Sequence, residues 1–562
     1  MAKSLSKILL LILCFSLVFS SAAYTVSAEA ASDTSKIRDI YMPETKIVNP
    51  PVVVQNVNNA EKLSKLQDAV RPQAAWLTLT SNCQVKLGDD CVSLSDALTA
   101  CDGKVLPILE IPDMECAEVV SGAIKDQYFD LLLASPDPAV LKKLHQDKIG
   151  YTRLVYLADQ AEPAEIVNTA LTNGAMIVAM KNPTREVCEY LQKRFLTVLV
   201  NPALENDEEN VRFSVDCGAN FVVLDGFQTA YDMYASVTEE AFVRRAYVVG
   251  HRGMVTYAPD NTYEGVQDAF DNGADAAEID IRYTADKQIV CFHNNDLSGA
   301  TIQQLDNPTK RIEEYTLEEL KQFTLRFATG HIYKNAKIPT LQEILNVVKQ
   351  YPDKILVIEF KDFLVDPQHL NSVLEEYDVI DQCVFIGFGK EVLDRHYPVI
   401  PMIGASLLDA GYPQDNASGC VDRYYSVSIG SVASYSPSYA IPDDAVEMLH
   451  CRGITLNLWT ANTFSMMEGM AKRGAQFITT DRVEDHNVVH DLYLNMGADP
   501  LFAKYKPTSE PPAPTPDTNT ENSTSTTDPS DAWKLLPWFF VLPGIAFVAA
   551  IFIKIYNVRK KQ

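Results

Sequence analysis

Tyr247-Val248-Val249-Gly250-His251-Arg252-Gly253 is the stretch on which the fold reading turns. Three bulky residues, two of them β-branched, suit a buried strand. They run straight into a histidine, an arginine and a glycine, and glycine lets the backbone turn tightly. Six residues on, Pro259-Asp260-Asn261-Thr262 opens a helix. Strand, polar turn and helix make one βα unit. The rhythm continues to residue 492 through candidate strands Ala277–Arg282, Ile289–His293, Ile355–Phe360, Cys383–Ile386, Pro401–Ala405, Tyr424–Ile429, Thr455–Trp459 and Gln476–Thr479. Eight or nine strands in roughly 245 residues is the size of one (β/α)8 barrel, whose working groups stand at the C-terminal strand ends. A doubly wound sheet is the alternative, but no glycine-rich phosphate loop opens the domain.

From 46 to 246 the same alternation appears, with candidate strands Trp76–Thr80, Val105–Ile111, Leu131–Leu133, Arg153–Leu157, Ala175–Met180, Leu196–Val200 and Phe221–Leu224. The halves can be laid on one another. Gln73–Leu79 falls on Asp275–Ile281, Ser93–Leu98 on Thr340–Leu345, and Glu110–Asp113 on Glu359–Asp362. Gly218–Phe221 with Asp225 falls on Gly474–Phe477 with Asp481. Shared order and spacing predict a duplicated α/β barrel. The first copy has Trp76 and Thr78 where the second has acids, and its sole histidine is His145. It is therefore expected to be degenerate and non-catalytic.

Both ends carry membrane signals. Lys3 and Lys7 precede the apolar run Ile8–Phe19, and Val26-Ser27-Ala28 suits cleavage, so 1–28 reads as a signal peptide. Residues 29–45 read as a loose segment, and 493–532 as a stalk rich in Pro, Thr and Ser. Residues 533–555 contain the uncharged stretch Leu535–Ile553, close to the ~20 residues a transmembrane helix needs. The tail 556–562 is basic, which places it in the cytoplasm. The expectation is a single-pass cell-membrane protein with its catalytic body outside.

The 562 residues are 47% hydrophobic and 22% charged, with 48 Lys+Arg against 74 Asp+Glu, a net charge of −26. Such acidity argues against a nucleic-acid partner. There is no CxxC pair to suggest a zinc ribbon or redox motif. Cys83 and Cys91 are the nearest candidates for a local disulfide, with buried free thiols as the alternative.

Glu278-Ile279-Asp280 places two carboxylates on one face of a strand. Ala276, Ala277, Ile279 and Ile281 make that strand apolar, so the acids are buried. Adjacent carboxylates repel unless a cation sits between them, and oxygen ligands suit Ca²⁺ or Mg²⁺. His293 ends the strand Ile289–Phe292, Glu359 ends Ile355–Ile358, and Lys361 follows two residues on. The set points to phosphodiester hydrolysis. Glu278, Asp280 and Glu359 would hold a divalent ion that polarises a phosphoryl oxygen. Arg252 and Lys361 would neutralise phosphate charge, and His251 and His293 would act as general base and acid.

Residues 247–490 resemble the glycerophosphodiester phosphodiesterase family. The resemblance rests on His251-Arg252-Gly253, Tyr257–Thr262, Glu278-Ile279-Asp280, His293, Ile338–Leu341, Glu359-Phe360-Lys361, Trp459–Asn462 and Phe477–Asp481, all in family order. It implies a TIM-type barrel, a bound Ca²⁺ or Mg²⁺, and hydrolysis of glycerophosphodiesters or lysophospholipid-type diesters to glycerol phosphate and an alcohol. It also implies that Trp459 lines the substrate pocket. Three departures bear on substrate positioning: Asp260 where the family has Glu, Asn294 where it has Asp, and Gly299-Ala300-Thr301 where Arg-Thr-Thr is usual. The rival readings are a phosphatidylinositol-specific phospholipase C-like enzyme and a non-catalytic surface binding module on a decayed barrel.

Overall fold

The computed structural model describes residues 37–507, apart from 102, 125–129, 148–151, 160, 202–203, 205, 362, 410–415, 429–433, 438–440 and 494–496. The expected signal peptide, most of the stalk, the span 533–555 and the basic tail lie outside the described residues. Among the described residues no helix is long and apolar enough to cross a membrane. One compact unit runs to Ala503 and contains two barrels; a second begins at Lys504.

The first barrel closes through eight parallel strands in sequential order: β1 (Val52–Asn56), β2 (Ala74–Thr78), β3 (Leu106–Glu110), β4 (Leu131–Ser135), β5 (Thr152–Leu157), β6 (Ala175–Met180), β7 (Thr197–Val200) and β8 (Phe221–Leu224). Strands buried on both faces read as continuous apolar runs, as Phe221-Val222-Val223-Leu224 does. The sequence reading misses β1, although Val52-Val53-Val54 after two prolines is its signal.

The second barrel comprises β9 (Tyr247–Gly250), β10 (Ala276–Tyr283), β12 (Ile355–Phe360), β13 (Cys383–Phe388), β14 (Ala405–Asp409), β15 (Ser434–Pro437), β16 (Thr455–Leu458) and β17 (Phe477–Thr480). Pairing of β9 with both β17 and β10 closes it. The short strand β11 (Ile289–Cys291) pairs antiparallel with β10 and lies outside the parallel ring.

Three strand expectations in this half need correction. Ile289–His293 is not a barrel strand, so His293 reaches the mouth from the loop after β11. The strand expected at Pro401–Ala405 starts only at Ala405. The strand expected at Tyr424–Ile429 is helix as far as Ser428, within a helix spanning Ala417–Ser428; Ile429 lies outside the described residues, and a strand spans Ser434–Pro437. Cys420, Val421, Tyr424 and Tyr425 are all buried, and their i, i+1, i+4, i+5 spacing is a helical face.

The barrels meet base to base. The segments entering β4, β5, β6 and β7 contact those entering the strands of the second barrel. Arg194 donates to the Asp381 carbonyl at 2.7 Å, and Gln476 donates to the Gln192 carbonyl at 2.6 Å. Gly404 lies so close to the Arg194 backbone that a side chain there would have no room. The Phe195 ring stands 5.2 Å from Phe477, edge on. Arg452 and Asp130 form an ion pair with both side chains wholly buried, and Arg452 Nε lies 3.0 Å from Asp130 Oδ1. The two mouths therefore open in opposite directions. Within the first barrel Cys83 faces Cys116, with Sγ atoms 2.8 Å apart, rather than the exposed Cys91.

Candidate active site

His251 is the first residue past β9, and its N–H donates to the Thr480 carbonyl at 2.9 Å. Arg252 takes φ +57° and Gly253 φ +88°. A Cβ on Gly253 would lie 2.6 Å from the carbonyl carbon of Gly265, so only glycine lets the turn close on the helix Tyr263–Asp271. The turn delivers His251 to the mouth, where Nδ1 lies 2.6 Å from Asp481 Oδ1. Asn462 Nδ2 donates to the other Asp481 oxygen at 2.6 Å, and the Asp481 N–H donates to Asn462 Oδ1 at 2.9 Å. Burial alone would raise the Asp481 pKa. The hydrogen bond and charge of His251, with the Asn462 amide, outweigh burial and hold it below the usual range. An ionised Asp481 accepts from Nδ1–H, which leaves Nε2 of His251 for a substrate proton.

Glu278, Asp280 and Glu359 come together as the strand pattern requires. Asp280 is in register with Glu359 across β10 and β12. All three are buried, and one oxygen from each lies within 4.8 Å of the others. Asn261, buried in the turn before the helix, clamps Asp280 twice: its Nδ2 donates to Oδ2 and its Oδ1 accepts the Asp280 N–H, each at 2.7 Å. Glu278 Oε2 accepts the Arg252 N–H at 2.9 Å. Glu278 Oε1 is buried with no hydrogen-bond partner among the described residues, and the buried Asp280 Oδ1 meets the Lys361 ammonium 3.0 Å away. Burial, then the Asp280 and Glu359 charges, push the Glu278 carboxyl well above its ordinary pKa. Glu359 shifts the same way, chiefly by burial. Three buried carboxylates converging on one point, one of them with an orphaned oxygen, fit a hard divalent cation such as Ca²⁺ or Mg²⁺.

Lys361 pairs with Glu359 and reaches Asp280 Oδ1 at 3.0 Å. Burial opposes its charge, but the two carboxylates overcome burial and raise its pKa. Arg252 binds Asp260 Oδ2 at 3.0 Å and stands 3.6 Å from Asp280 Oδ2. His293 is held by Arg282, whose Nη2 donates to the His293 carbonyl at 2.8 Å. Its Nδ1 lies 2.9 Å from Asn294 Oδ1. Burial lowers its pKa, against the opposing pull of the Asn294 bond. Trp459 donates from Nε1 to the Ser436 carbonyl at 3.2 Å and packs edge on against Phe388. A cavity of about 160 Å³ brings His251, Arg252, Glu278, His293, Glu359, Lys361 and Trp459 together, and Phe195 of the first barrel lies among its lining residues.

Sequence reasoning assigns no role to Asp481, Asn462, Asn261 or Phe195. The first three lie in motifs it quotes, so their positions were visible but not their partners. Phe195 enters through the contact between barrels, for which no local pattern exists.

The first barrel keeps the frame of this site without its acids. Thr78 is in register with Glu110, as Asp280 is with Glu359. Glu110 Oε2 accepts hydrogen bonds from Trp76 Nε1 at 2.9 Å and Thr78 Oγ1 at 2.7 Å. Asn56 donates to Asp225 at 3.1 Å, the place His251 and Asp481 take in the second barrel. One carboxylate bonded by neutral donors replaces the acidic triad.

Residues 251–485 match the glycerophosphoryl diester phosphodiesterase family. A glycerophosphodiester phosphodiesterase of Caldanaerobacter subterraneus subsp. tengcongensis is 26% identical over 242 residues, covering 42% of this chain and 94% of the relative. One from Bacillus altitudinis is 24% identical over 241 residues, covering 42% and 94%. A solved glycerophosphodiester phosphodiesterase from Thermotoga maritima superposes with a TM-score of 0.34 at 25% identity, covering 43% of this chain and 96% of that one. Residues 251–485 thus form a domain of the glycerophosphoryl diester phosphodiesterase family, a family of phosphoric diester hydrolases.

Proposed function

We propose that the second barrel hydrolyses glycerophosphodiesters, or lysophospholipid-type diesters, to glycerol phosphate and an alcohol. The proposal rests on the buried triad, in which Glu278 Oε1 has no hydrogen-bond partner among the described residues, set beside two histidines and two cations. Glu278, Asp280 and Glu359 would hold a divalent cation, which when bound supplies polarisation of a phosphoryl oxygen. Arg252 and Lys361 bind the phosphate and offset its charge. His251, oriented by Asp481, takes a proton at Nε2 from the attacking hydroxyl. His293 gives a proton to the departing alkoxide; its depressed pKa makes it a stronger acid once protonated. Trp459 and Phe388 offer an apolar wall to the substrate.

The apolar stretch 535–553 and the basic tail after it support a cell-membrane location with the barrels outside, and the neutral donors around Glu110 in place of the acidic triad support a non-catalytic first barrel. The test is glycerol phosphate release from glycerophosphocholine with Ca²⁺, Mg²⁺ or EDTA. Release that requires metal and disappears in His293→Ala supports the proposal. Metal-independent release, or none from a folded chain, refutes it.

A further inference from the structure

Twelve large apolar side chains are exposed among the described residues, and nine of them belong to the second barrel. All nine lie at or after the C-terminal ends of its strands, on the face that bears the site. Tyr257 follows β9, Ile332 and Phe327 follow β11, Phe363 follows β12, Phe388 ends β13 and Phe464 follows β16. Exposure reaches 63% for Ile332, 57% for Phe464 and 54% for Phe363. The segments at the opposite end of this barrel, which pack on the first barrel, expose none among the described residues.

The first barrel is an internal control. It has the same strand order, and at its own mouth only Leu204 is exposed among the described large apolar residues. The fold alone therefore does not produce an apolar rim. The rim is also tied to the site. Phe327 lines a cavity of about 470 Å³ that shares Arg252 and His293 with the catalytic one. Phe388 packs on Trp459 with ring centroids 5.9 Å apart. Ile332 N–H donates to the Tyr257 carbonyl at 2.8 Å, which joins two of the rim loops. Cations flank the aromatic members, with Lys334 Nζ 4.4 Å from the Phe327 ring centre and Arg482 Cζ 5.9 Å from that of Phe464.

We infer that this rim seats on the surface of a phospholipid bilayer and presents the catalytic mouth to it. Apolar residues with neighbouring cations are what an interfacial surface requires, and scattered exposed apolar residues alone would not gather on one face. The length of the remaining chain is what names the bilayer as occupant. Ala498 N–H bonds to Asp216, so the compact unit ends beside the first barrel. Residues 508–532 follow before the apolar stretch, and 25 residues reach at most about 85 Å, more than a barrel's height. A tether of that length lets the mouth turn onto the same membrane. The inference deepens the proposed function, because it names a diester held in a lipid surface as the substrate served.

The test uses the full chain with phosphatidylcholine vesicles containing doxyl-labelled phosphatidylcholine. Tryptophan is placed by Ile332→Trp, Phe464→Trp or, on the first barrel, Val119→Trp, and the wild-type signal is subtracted. The rim positions should be quenched at least twice as strongly as position 119. Equal quenching at all three positions, or none at 332 and 464, overturns the inference. In a second arm, the double variant Ile332→Ser, Phe464→Ser should keep its turnover of soluble glycerophosphocholine. It should lose tenfold or more on lysophosphatidylcholine in vesicles, since each such side chain is worth about tenfold in transfer from water. Equal losses on both substrates also overturn it. If the wild type turns over neither substrate, the proposed function fails while the quenching still decides the docking.

Discussion

Binding of Ca²⁺ or Mg²⁺ at the triad is expected to expel about one proton, carried by Glu278. The oxygens lie within 4.8 Å of one another. Two unit charges at that distance repel by about 3.5 kcal/mol at an effective dielectric constant of ~20. Glu278 has two such neighbours, a gross repulsion of roughly 7 kcal/mol. Lys361 pairs with Glu359 and Asp280 and opposes the Glu278 shift only through its charge, while the hydrogen bond Glu278 accepts is the Arg252 N–H. Keeping an ordinary glutamic acid protonated at pH 7 costs about 3.7 kcal/mol, half the repulsion it removes. The proton therefore stays until a cation displaces it. A raised carboxyl pKa contributes stability at pH below the unfolded value and loses it as pH rises, so the contribution of Glu278 to the metal-free chain falls upward from about pH 4. Metal affinity should rise close to tenfold per pH unit over the range where Glu278 is protonated. Calorimetric titration between pH 5.5 and 7.5, in buffers of different ionisation enthalpy, counts the protons. Glu278→Gln should bind more weakly, by at least the ~10–100-fold seen for lesser changes around metal sites, and release none. A pH-independent affinity in the wild type, or an unchanged slope in the variant, would show that Glu278 does not carry the displaced proton.

Three further outcomes follow from particular contacts. Asp481→Asn should lower kcat by about 10²–10⁴-fold through loss of the correct His251 tautomer, with cation affinity unchanged by calorimetry. Asn294→Asp places a carboxylate beside His293 Nδ1, which should raise its pKa and move the alkaline limb of the kcat/KM profile to higher pH. Removing one partner of the buried Arg452–Asp130 pair, as in Arg452→Ala, should cost about 3–5 kcal/mol in denaturant unfolding, whereas replacing both by apolar residues of similar volume should cost far less.

The second barrel was legible because its chemistry repeats at strand ends. Glu278 and Asp280 two residues apart, and Glu359 and Lys361 likewise, follow from the strand period of two, and their convergence follows from closure of the ring. Legibility failed where tertiary contacts decide. Tyr424–Ile429 is rich in residues that suit a strand, but Cys420, Val421, Tyr424 and Tyr425 fall at helical spacing and bury one face of the helix Ala417–Ser428. β11 looks like another barrel strand, yet it pairs antiparallel on the outside and feeds a loop that carries His293. The Phe195 side chain at the base of the second cavity belongs to a different barrel and could not be placed by any local pattern. The alignment of the two halves sets Trp76 and Thr78 against the acids Glu278 and Asp280, whereas Asn56 lies on β1, a strand the sequence does not mark out.

In the proposed function the acidic triad and the two histidines together make the second barrel a phosphodiesterase. The most direct measurement is glycerol phosphate release from glycerophosphocholine by the full chain with Mg²⁺ or Ca²⁺, for the wild type, Glu278→Gln and His293→Ala. Release by the wild type should stop in EDTA and return with added metal, and activity should be at least about 10²-fold lower in each variant. Wild-type release that survives either substitution, or persists in EDTA, would contradict it.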